Sequence, residues 1–361
     1  MGEYGVSKHL IELIGALYED TSAQVKVDNE LSEEFKIKTG LRQGCLLSPC
    51  LFNIYMDYVV KIALSELSNI GIKIKYRMPD GRVRDGSLAQ GEEMVSILMY
   101  ADDIVIMCED STDLQQAMDK LEQTTQDWGL TISINKTKVM ALNKNFNLSQ
   151  PVRIRGEVIE QVDGFTYLGS LFNSEGSCGE EIRRRIGFAT GKFFSLKKAV
   201  WKQRGLGLKT KLRIYNATVI SLLLYGAETW TCDQATYDKL DAFNTKKLRY
   251  LLGKSREEIS NQSIYKITNS RPISELIRER RMKWAGHVRR MNEQRIPKKI
   301  LFGEVVNGKR GRGRPALSWE RCLKADCESK NVNNWVSMSK NRVEWRNVVT
   351  SRTSRSGGAR K

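Results

Sequence analysis

The chain has 361 residues, room for two to three domains at roughly 150 residues each, and 40% of them are hydrophobic, enough to build real cores. No run approaches the ~18 consecutive apolar residues of a membrane span, and the N-terminus shows no basic-then-apolar leader pattern, so an intracellular protein is expected. The net charge of +17 is uneven: residues 1–150 hold 15 Lys/Arg against 22 Asp/Glu, and residues 151–361 hold 44 against 20, which points to a polyanionic partner for the second half or, more plainly, to a well-solvated basic surface.

In chain order, Ser7 is placed to cap a helix whose Leu10, Leu13, Ile14 and Leu17 share one face. Gln24–Val27 and Glu34–Lys38 alternate around Asp28-Asn29 and read as a β-hairpin. Ser48 as N-cap and Pro49 at the first helical position open a second helix, with Phe52, Tyr55, Met56, Val59, Ala63 and Leu67 as its stripe and Gly71 at its end. A polar, glycine-containing stretch from Pro79 to Gly91 follows. Val95 to Cys108 is apolar except at Ala101-Asp102-Asp103, which predicts two short buried strands joined by an acidic turn. Ser111 opens a helix through Leu114, Ala117, Met118, Leu121 and Trp128, closed by Gly129. Thr131 to Leu142, Val152 to Arg155 and Phe165 to Leu171 read as strands. This order is α+β, not a regular βαβ series.

The second half turns helical. Ile182, Ile186, Ala189, Phe193, Leu196 and Val200 repeat at helical spacing, with Arg183, Arg184, Lys192 and Lys197 off the stripe. Leu208 to Tyr225 gives another helix. From about Ser255 the chain becomes polar and basic, with a loop expected at Gly303 to Pro315 and a disordered tail at Ser351 to Lys361. The seven cysteines, Cys45, Cys50, Cys108, Cys178, Cys232, Cys322 and Cys327, contain no CxxC pair; Cys322 and Cys327 with His287 form the one zinc combination to consider, reduced and partly buried thiols being the alternative.

Two adjacent carboxylates at a hairpin tip repel each other, and a divalent cation relieves that repulsion. Nucleotidyl transfer uses such ions to lower the pKa of an attacking 3′-hydroxyl and to hold a triphosphate. An ordinary exposed Asp-Asp turn has the same four-residue sequence, so the neighbours must decide. Arg42-Gln43-Gly44-Cys45-Leu46-Leu47-Ser48-Pro49 with Leu51-Phe52-Asn53, then Tyr100-Ala101-Asp102-Asp103, Trp128-Gly129-Leu130 with Asn135-Lys136-Thr137-Lys138, and Tyr167-Leu168-Gly169-Ser170 stand in order. Leu224-Tyr225-Gly226-Ala227-Glu228-Thr229-Trp230, Trp284-Ala285-Gly286-His287-Val288 and Gly311-Arg312-Gly313-Arg314-Pro315 with Trp319 follow. In order and spacing, this series resembles the reverse transcriptases of non-LTR, LINE-type retrotransposons over nearly the whole chain.

The resemblance implies a partial right-hand palm at about 1–175 with its primer-grip hairpin, a helical thumb at 176–255 and a basic nucleic-acid-binding module at 256–361. It implies RNA-directed DNA polymerase activity with two Mg²⁺ or Mn²⁺ ions in a complete site, an RNA template, a DNA primer or RNA–DNA hybrid, and dNTPs. Asp102 would be a direct metal ligand and Asp103 its weaker partner. Tyr100 and Ala101 would lie beneath the nucleotide and primer end, and Gln43 and Gly44 near the template–nucleotide pair. Lys136 would stabilise departing pyrophosphate, or be a surface lysine. Tyr167, Leu168 and Gly169 would grip the primer, or Tyr167 plug a core. The family's first catalytic motif, an aromatic residue, Asp, and then Ala-Phe-Asp, has no counterpart here, nor do the fingers and endonuclease. The expectation is a C-terminal portion with an incomplete metal site, very weak or inactive alone. A non-catalytic nucleic-acid-binding relic is the competing reading.

Between Arg278 and Arg314 thirteen basic residues face three acidic ones, with Trp284, His287 and Phe302 interspersed for stacking. Arg289, Arg290, Lys309, Arg310, Arg312 and Arg314 are candidates for phosphate contact, as are Arg183, Arg184 and Lys192 on the thumb helix. Arg312-Gly313-Arg314-Pro315 also looks like an AT-hook core, and Lys309 to Arg314 suits nuclear import, which would put the point of action in the nucleus.

Overall fold

A computed structural model describes residues 1–65, 67, 70–82, 88–142, 150–302, 304–305 and 317–351. They fall into two units: Met1–Ile74 with Glu93–Val139 and Leu148–Glu160, and Lys75–Glu92 with Met140–Asn147 and Gln161–Lys361. Each mixes helices with small antiparallel sheets, in keeping with an α+β class.

In the first unit α1 (Lys8–Tyr18) starts at Ser7, whose Oγ accepts the Leu10 N–H at 3.5 Å. Its stripe residues Leu10, Leu13 and Leu17 stay exposed, and no residue before Met56 is buried. The hairpin differs from the expected pairing. β1 (Ser22–Ala23) pairs with β4 (Phe35–Lys36), while β2 (Lys26–Val27) pairs with β3 (Glu30–Leu31), so the return strand starts at Glu30 rather than Glu34. Asp28 and Asn29 both hold positive φ, which fixes a two-residue turn between Val27 and Glu30.

Ser48 is the first residue of α2 (Ser48–Ser65), not its flanking cap, and its Oγ donates to the Arg42 carbonyl at 2.7 Å. Gly71 does not end that helix. At φ 150, with a Cβ there 2.6 Å from Ser96 Oγ, it forms the tight entry to β5 (Ile72–Arg82). β6 (Leu88–Val95) lies beside β5, so most of the polar stretch from Pro79 to Gly91 is strand. The alternation Ile72-Lys73-Ile74-Lys75-Tyr76 was its signal.

β7 (Ile97–Tyr100) and β8 (Asp103–Ile106) form the expected acidic hairpin. The strands are half-buried: Leu98 and Tyr100 are exposed, whereas Ile97, Met99, Ile104 and Ile106 pack on Val60, Ala63 and Leu121. α3 (Ser111–Asp127), capped by Asp110, lies against α2, and Trp128 meets Tyr58 edge-on at 5.2 Å. Thr131 to Leu142 is not a strand. Ile132 and Ile134 pack on the core while the chain turns at Ile134-Asn135-Lys136, closed by Thr137 N–H to the Ser133 carbonyl at 3.0 Å. β9 (Arg153–Ile154) and β10 (Glu157–Val158) complete this unit.

The second unit, which also holds Lys75–Glu92 of β5 and β6, continues with a hairpin: β11 (Gly164–Tyr167) pairs with β12 (Ser170–Asn173) across Leu168-Gly169, so Phe165 to Leu171 is two strands and a turn, not one strand. α4 (Gly179–Ser195), α5 (Leu208–Tyr215), α6 (Ser221–Leu223), α7 (Gln234–Leu252), α8 (Asn261–Thr268) and α9 (Ile273–Arg289) surround Phe193, Tyr215, Trp230, Leu240, Leu248 and Ile277. α10 (Ile296–Phe302) follows, and β13 (Glu304–Val305) pairs with Tyr76 and Arg77 of β5. α11 (Trp319–Glu328), α12 (Trp335–Met338) and α13 (Arg342–Thr350) build a second core with α9, around Met282, Ala285, Leu323 and Trp345. The stretch after Ser255 is therefore largely helical and has a core of its own. Most of the expected loop at Gly303 to Pro315, with Lys309, Arg310, Arg312 and Arg314, lies outside the described residues, as does the tail beyond Ser351.

Candidate active site and nucleic-acid interface

Register fixes the acidic turn. Tyr100 pairs with Asp103, which leaves Ala101 and Asp102 as a two-residue connection. Ala101 sits at φ 53, a left-handed conformation that costs a Cβ-bearing residue about 1–2 kcal/mol. Such strain is kept where the surrounding structure dictates it, and it clusters at functional turns. Asp102 and Asp103 are exposed, Tyr100 beside them is 64% exposed, and among the described residues neither carboxylate has an ion pair or a side-chain hydrogen bond. Two adjacent, uncompensated oxygen donors suit one hard dication of the magnesium type, which keeps several waters and takes one or two protein carboxylates. Among the described residues no group of three or more His, Cys, Asp or Glu is placed to hold a metal. Among the described residues no third His, Cys, Asp or Glu joins Asp102 and Asp103 there.

Gln43 and Gly44 occupy a closed loop of the same unit. Cys45 N–H donates to the Arg42 carbonyl at 3.2 Å, Ser48 Oγ closes the other side, and Gly44 holds φ 84. Arg42 donates to Thr21 Oγ1 at 2.9 Å and lies over the Tyr18 ring, anchoring the loop to α1. A hydrogen bond from the Leu47 backbone, partly opposed by desolvation, holds the Cys45 thiol below its ordinary pKa. Lys136 is exposed at its turn. Among the described residues no hydrogen bond or ion pair joins the Gln43 loop, the acidic turn and Lys136 to one another.

Tyr167, Leu168 and Gly169 belong to the second unit, where the turn is braced by Tyr225 and Arg184, to which the motifs give no such role, and by Arg185 and Glu181, which no motif contains. Tyr225 Oη donates to the Leu168 carbonyl at 2.7 Å. Arg184 donates to the Gly169 carbonyl at 3.2 Å, Arg185 donates to the same oxygen, and Arg185 stacks over Tyr225 at 4.5 Å. Leu168 and Gly169 hold φ 46 and 78, and a Cβ on Gly169 would press on the Tyr225 ring at 3.5 Å. Glu181 ties the two arginines together, accepting from Arg184 at 2.7 Å and Arg185 at 2.5 Å. Tyr225 was visible as part of a sequence signature; its bond to a carbonyl 57 residues away was not.

Among the basic candidates, Arg183 is open, its side chain 78% exposed, and Lys192 is exposed. Arg184 is largely taken up by Glu181 and Gly169 and stacks on Phe188. Arg289 covers Phe302 and pairs with Glu293, and Arg290 donates to the Ser339 carbonyl at 2.7 Å. Cys322 and Cys327 are buried and His287 is exposed; they form no metal-holding group, and burial pushes the Cys327 thiol up to about 12. No helix among the described residues is long and apolar enough to cross a membrane.

Residues 3–172 match the family described as reverse transcriptase (RNA-dependent DNA polymerase). The chain is 26% identical to an uncharacterized transposon-derived protein of Caenorhabditis elegans over 275 residues, 72% of this chain and 96% of that one. It is 25% identical to the RNA-directed DNA polymerase from mobile element jockey of Drosophila funebris over 259 residues, 69% of this chain and 25% of that one. It is also 26% identical to the Pol polyprotein of the type-1 retrotransposable element R2 of Nasonia vitripennis over 170 residues, 44% of this chain and 15% of that one. The chain therefore spans nearly all of the nematode protein but a quarter or less of these two polymerases. Residues 3–172 are a reverse transcriptase domain, of the kind carried by non-LTR retrotransposons.

Proposed function

We propose that this chain is the palm, thumb and basic C-terminal part of an RNA-directed DNA polymerase that adds dNTPs to a DNA primer on an RNA template. The reading divides the chain at about residues 175 and 255. Reverse transcriptases use divalent metal ions, and the observation that carries the proposal is the uncompensated Asp102–Asp103 pair on its strained, exposed turn. Magnesium or manganese held there supplies acidification of the primer 3′-hydroxyl and neutralisation of triphosphate charge. Tyr100 and Ala101 offer the surface beneath the primer end, and the glycine at position 44 lets backbone approach the template–nucleotide pair. Lys136 Nζ is the cation and proton donor for departing pyrophosphate. The Leu168-Gly169 turn seats the primer, and Arg183 and Lys192 meet nucleic-acid backbone, with nuclear action following from the substrate.

With two carboxylates in the ligand set, the chain alone works far below a complete two-ion site. Binding without catalysis is the second reading, favoured by the same ligand count. Primer extension on an RNA template with the purified chain separates the two. Faint, Mn²⁺-supported incorporation that disappears in Asp102→Ala is expected. Incorporation unchanged in Asp102→Ala would remove the acidic turn from the mechanism, and complete absence of incorporation beside salt-sensitive binding would favour the binding reading.

A further inference from the structure

The second unit contains a cavity of about 380 Å³ between α7, α9 and the helical segment around Asn216. That is within the roughly 300–1,000 Å³ of small-ligand sites. One side is cationic. Arg271, Arg280 and Lys283 line it, opposed by the single carboxylate of Glu279. Glu279 accepts from Arg271 and Lys283 at 2.5 Å each; burial pushes its carboxyl up, but these two bonds and the charges behind them hold it below the usual range. One anion among three cations leaves the wall with two positive charges. Each arginine has five N–H donors and the lysine three, so bonds to Glu279 and, from Arg280, to the Leu224 carbonyl leave donors over.

The rest of the lining differs in chemistry. Ile220, Leu224 and Leu276 add apolar side chains to the lining, Leu276 from the same face of α9 as Arg280 and Lys283, and Asn216 and Asn269 add amides. Asn244 is 3% exposed, braced by Tyr215 Oη at 2.9 Å and by its own bond to the Arg271 carbonyl, which holds this part of the lining in place. Guanidinium groups match phosphate oxygens in geometry, and an apolar lining with a few convergent amides suits a nucleobase, which has apolar faces and hydrogen-bonding edges.

We propose that this cavity binds one nucleoside monophosphate unit, with its phosphate on Arg271, Arg280 and Lys283 and its base against the apolar lining beside Asn216. The unit is either a free mononucleotide or a nucleotide turned out of a strand. The site lies wholly within the second unit and uses no metal, so it stands or falls apart from the Asp102–Asp103 reading.

The test is isothermal titration calorimetry of the full chain with AMP, with inorganic phosphate and with a short single-stranded oligonucleotide. Expected are one AMP site, affinity at least five-fold weaker in Lys283→Ala and at least ten-fold weaker in Asn216→Leu, which removes the amide and narrows the cavity, and phosphate binding at least ten-fold weaker than AMP. Asp102→Ala should bind AMP as the parent does. Competition of the oligonucleotide with AMP identifies the strand-borne source, and its absence the free nucleotide. Thermal melts of both pocket variants establish that they fold; Lys283→Met serves if Lys283→Ala does not. Absence of AMP binding, AMP affinity unchanged in both variants, or phosphate binding as tight as AMP would overturn the proposal.

Discussion

Trp345 lies across Gly286 so closely that a Cβ on the glycine would collide with its indole ring, and its Nε1 donates to the Met282 carbonyl at 3.0 Å. This explains a glycine in the last turn of α9, since glycine inside a helix otherwise costs up to about 1 kcal/mol relative to alanine. Gly286→Ala should therefore reverse the usual sign and destabilise by about 1–3 kcal/mol through overpacking. Urea denaturation measures it; a more stable Gly286→Ala protein would show that α13 does not pack there.

Arg281 is fully buried, paired with Asp326 and donating also to the Trp230 carbonyl at 2.7 Å. Removing one partner of such a pair strands a buried charge and costs on the order of 3–5 kcal/mol, whereas replacing both by apolar groups is often near neutral. Arg281→Met alone should lower Tm sharply, and the Arg281→Met, Asp326→Leu double variant should recover much of the loss. A double variant no better than the single one would contradict the pairing.

Acid should loosen the Leu168-Gly169 turn. Burial pushes the Glu181 carboxyl up, but hydrogen bonds from Arg185, the Leu171 N–H and Arg184 outweigh it and hold its pKa below the ordinary glutamate value. A carboxyl depressed on folding contributes stability that is fully present above its unfolded pKa and lost as pH falls through the folded one. Stability should thus decline below about pH 4.5, and Glu181→Gln should flatten that limb of the pH–stability curve. An unchanged slope would show that Glu181 is not a titrating brace.

The left-handed Ala101 offers a direct check of the acidic turn. Ala101→Gly removes the Cβ penalty and should leave stability equal or up to about 1 kcal/mol higher, whereas Ala101→Val should cost about 1–2 kcal/mol. Equal stabilities for the two variants in urea would mean a different turn.

What the sequence made legible was local. Ser7, the Asp28-Asn29 turn, the acidic hairpin and the α2 and α3 stripes each carry their signal within a few residues of where it acts. Thr131 to Leu142 carries a strand-like pattern yet turns, because Ile132, Ile134 and Val139 face the core whether the backbone is extended or turned, and side-chain pattern does not report backbone turns. The helices after Ser255 were hidden by charge: Arg281 and Asp326 are core residues, 45 positions apart, and only the fold cancels their cost. The candidate site divides the same way. Asp102 and Asp103 could be read directly, while the Tyr225, Arg184 and Arg185 brace on Leu168-Gly169 required tertiary contacts.

The most direct measurement is titration of the purified chain with Mn²⁺, followed by electron paramagnetic resonance, alongside Asp102→Asn and Asp103→Asn. About one ion per chain is predicted, weakened most by Asp102→Asn and less by Asp103→Asn. Mn²⁺ binding that both variants retain in full would contradict the account.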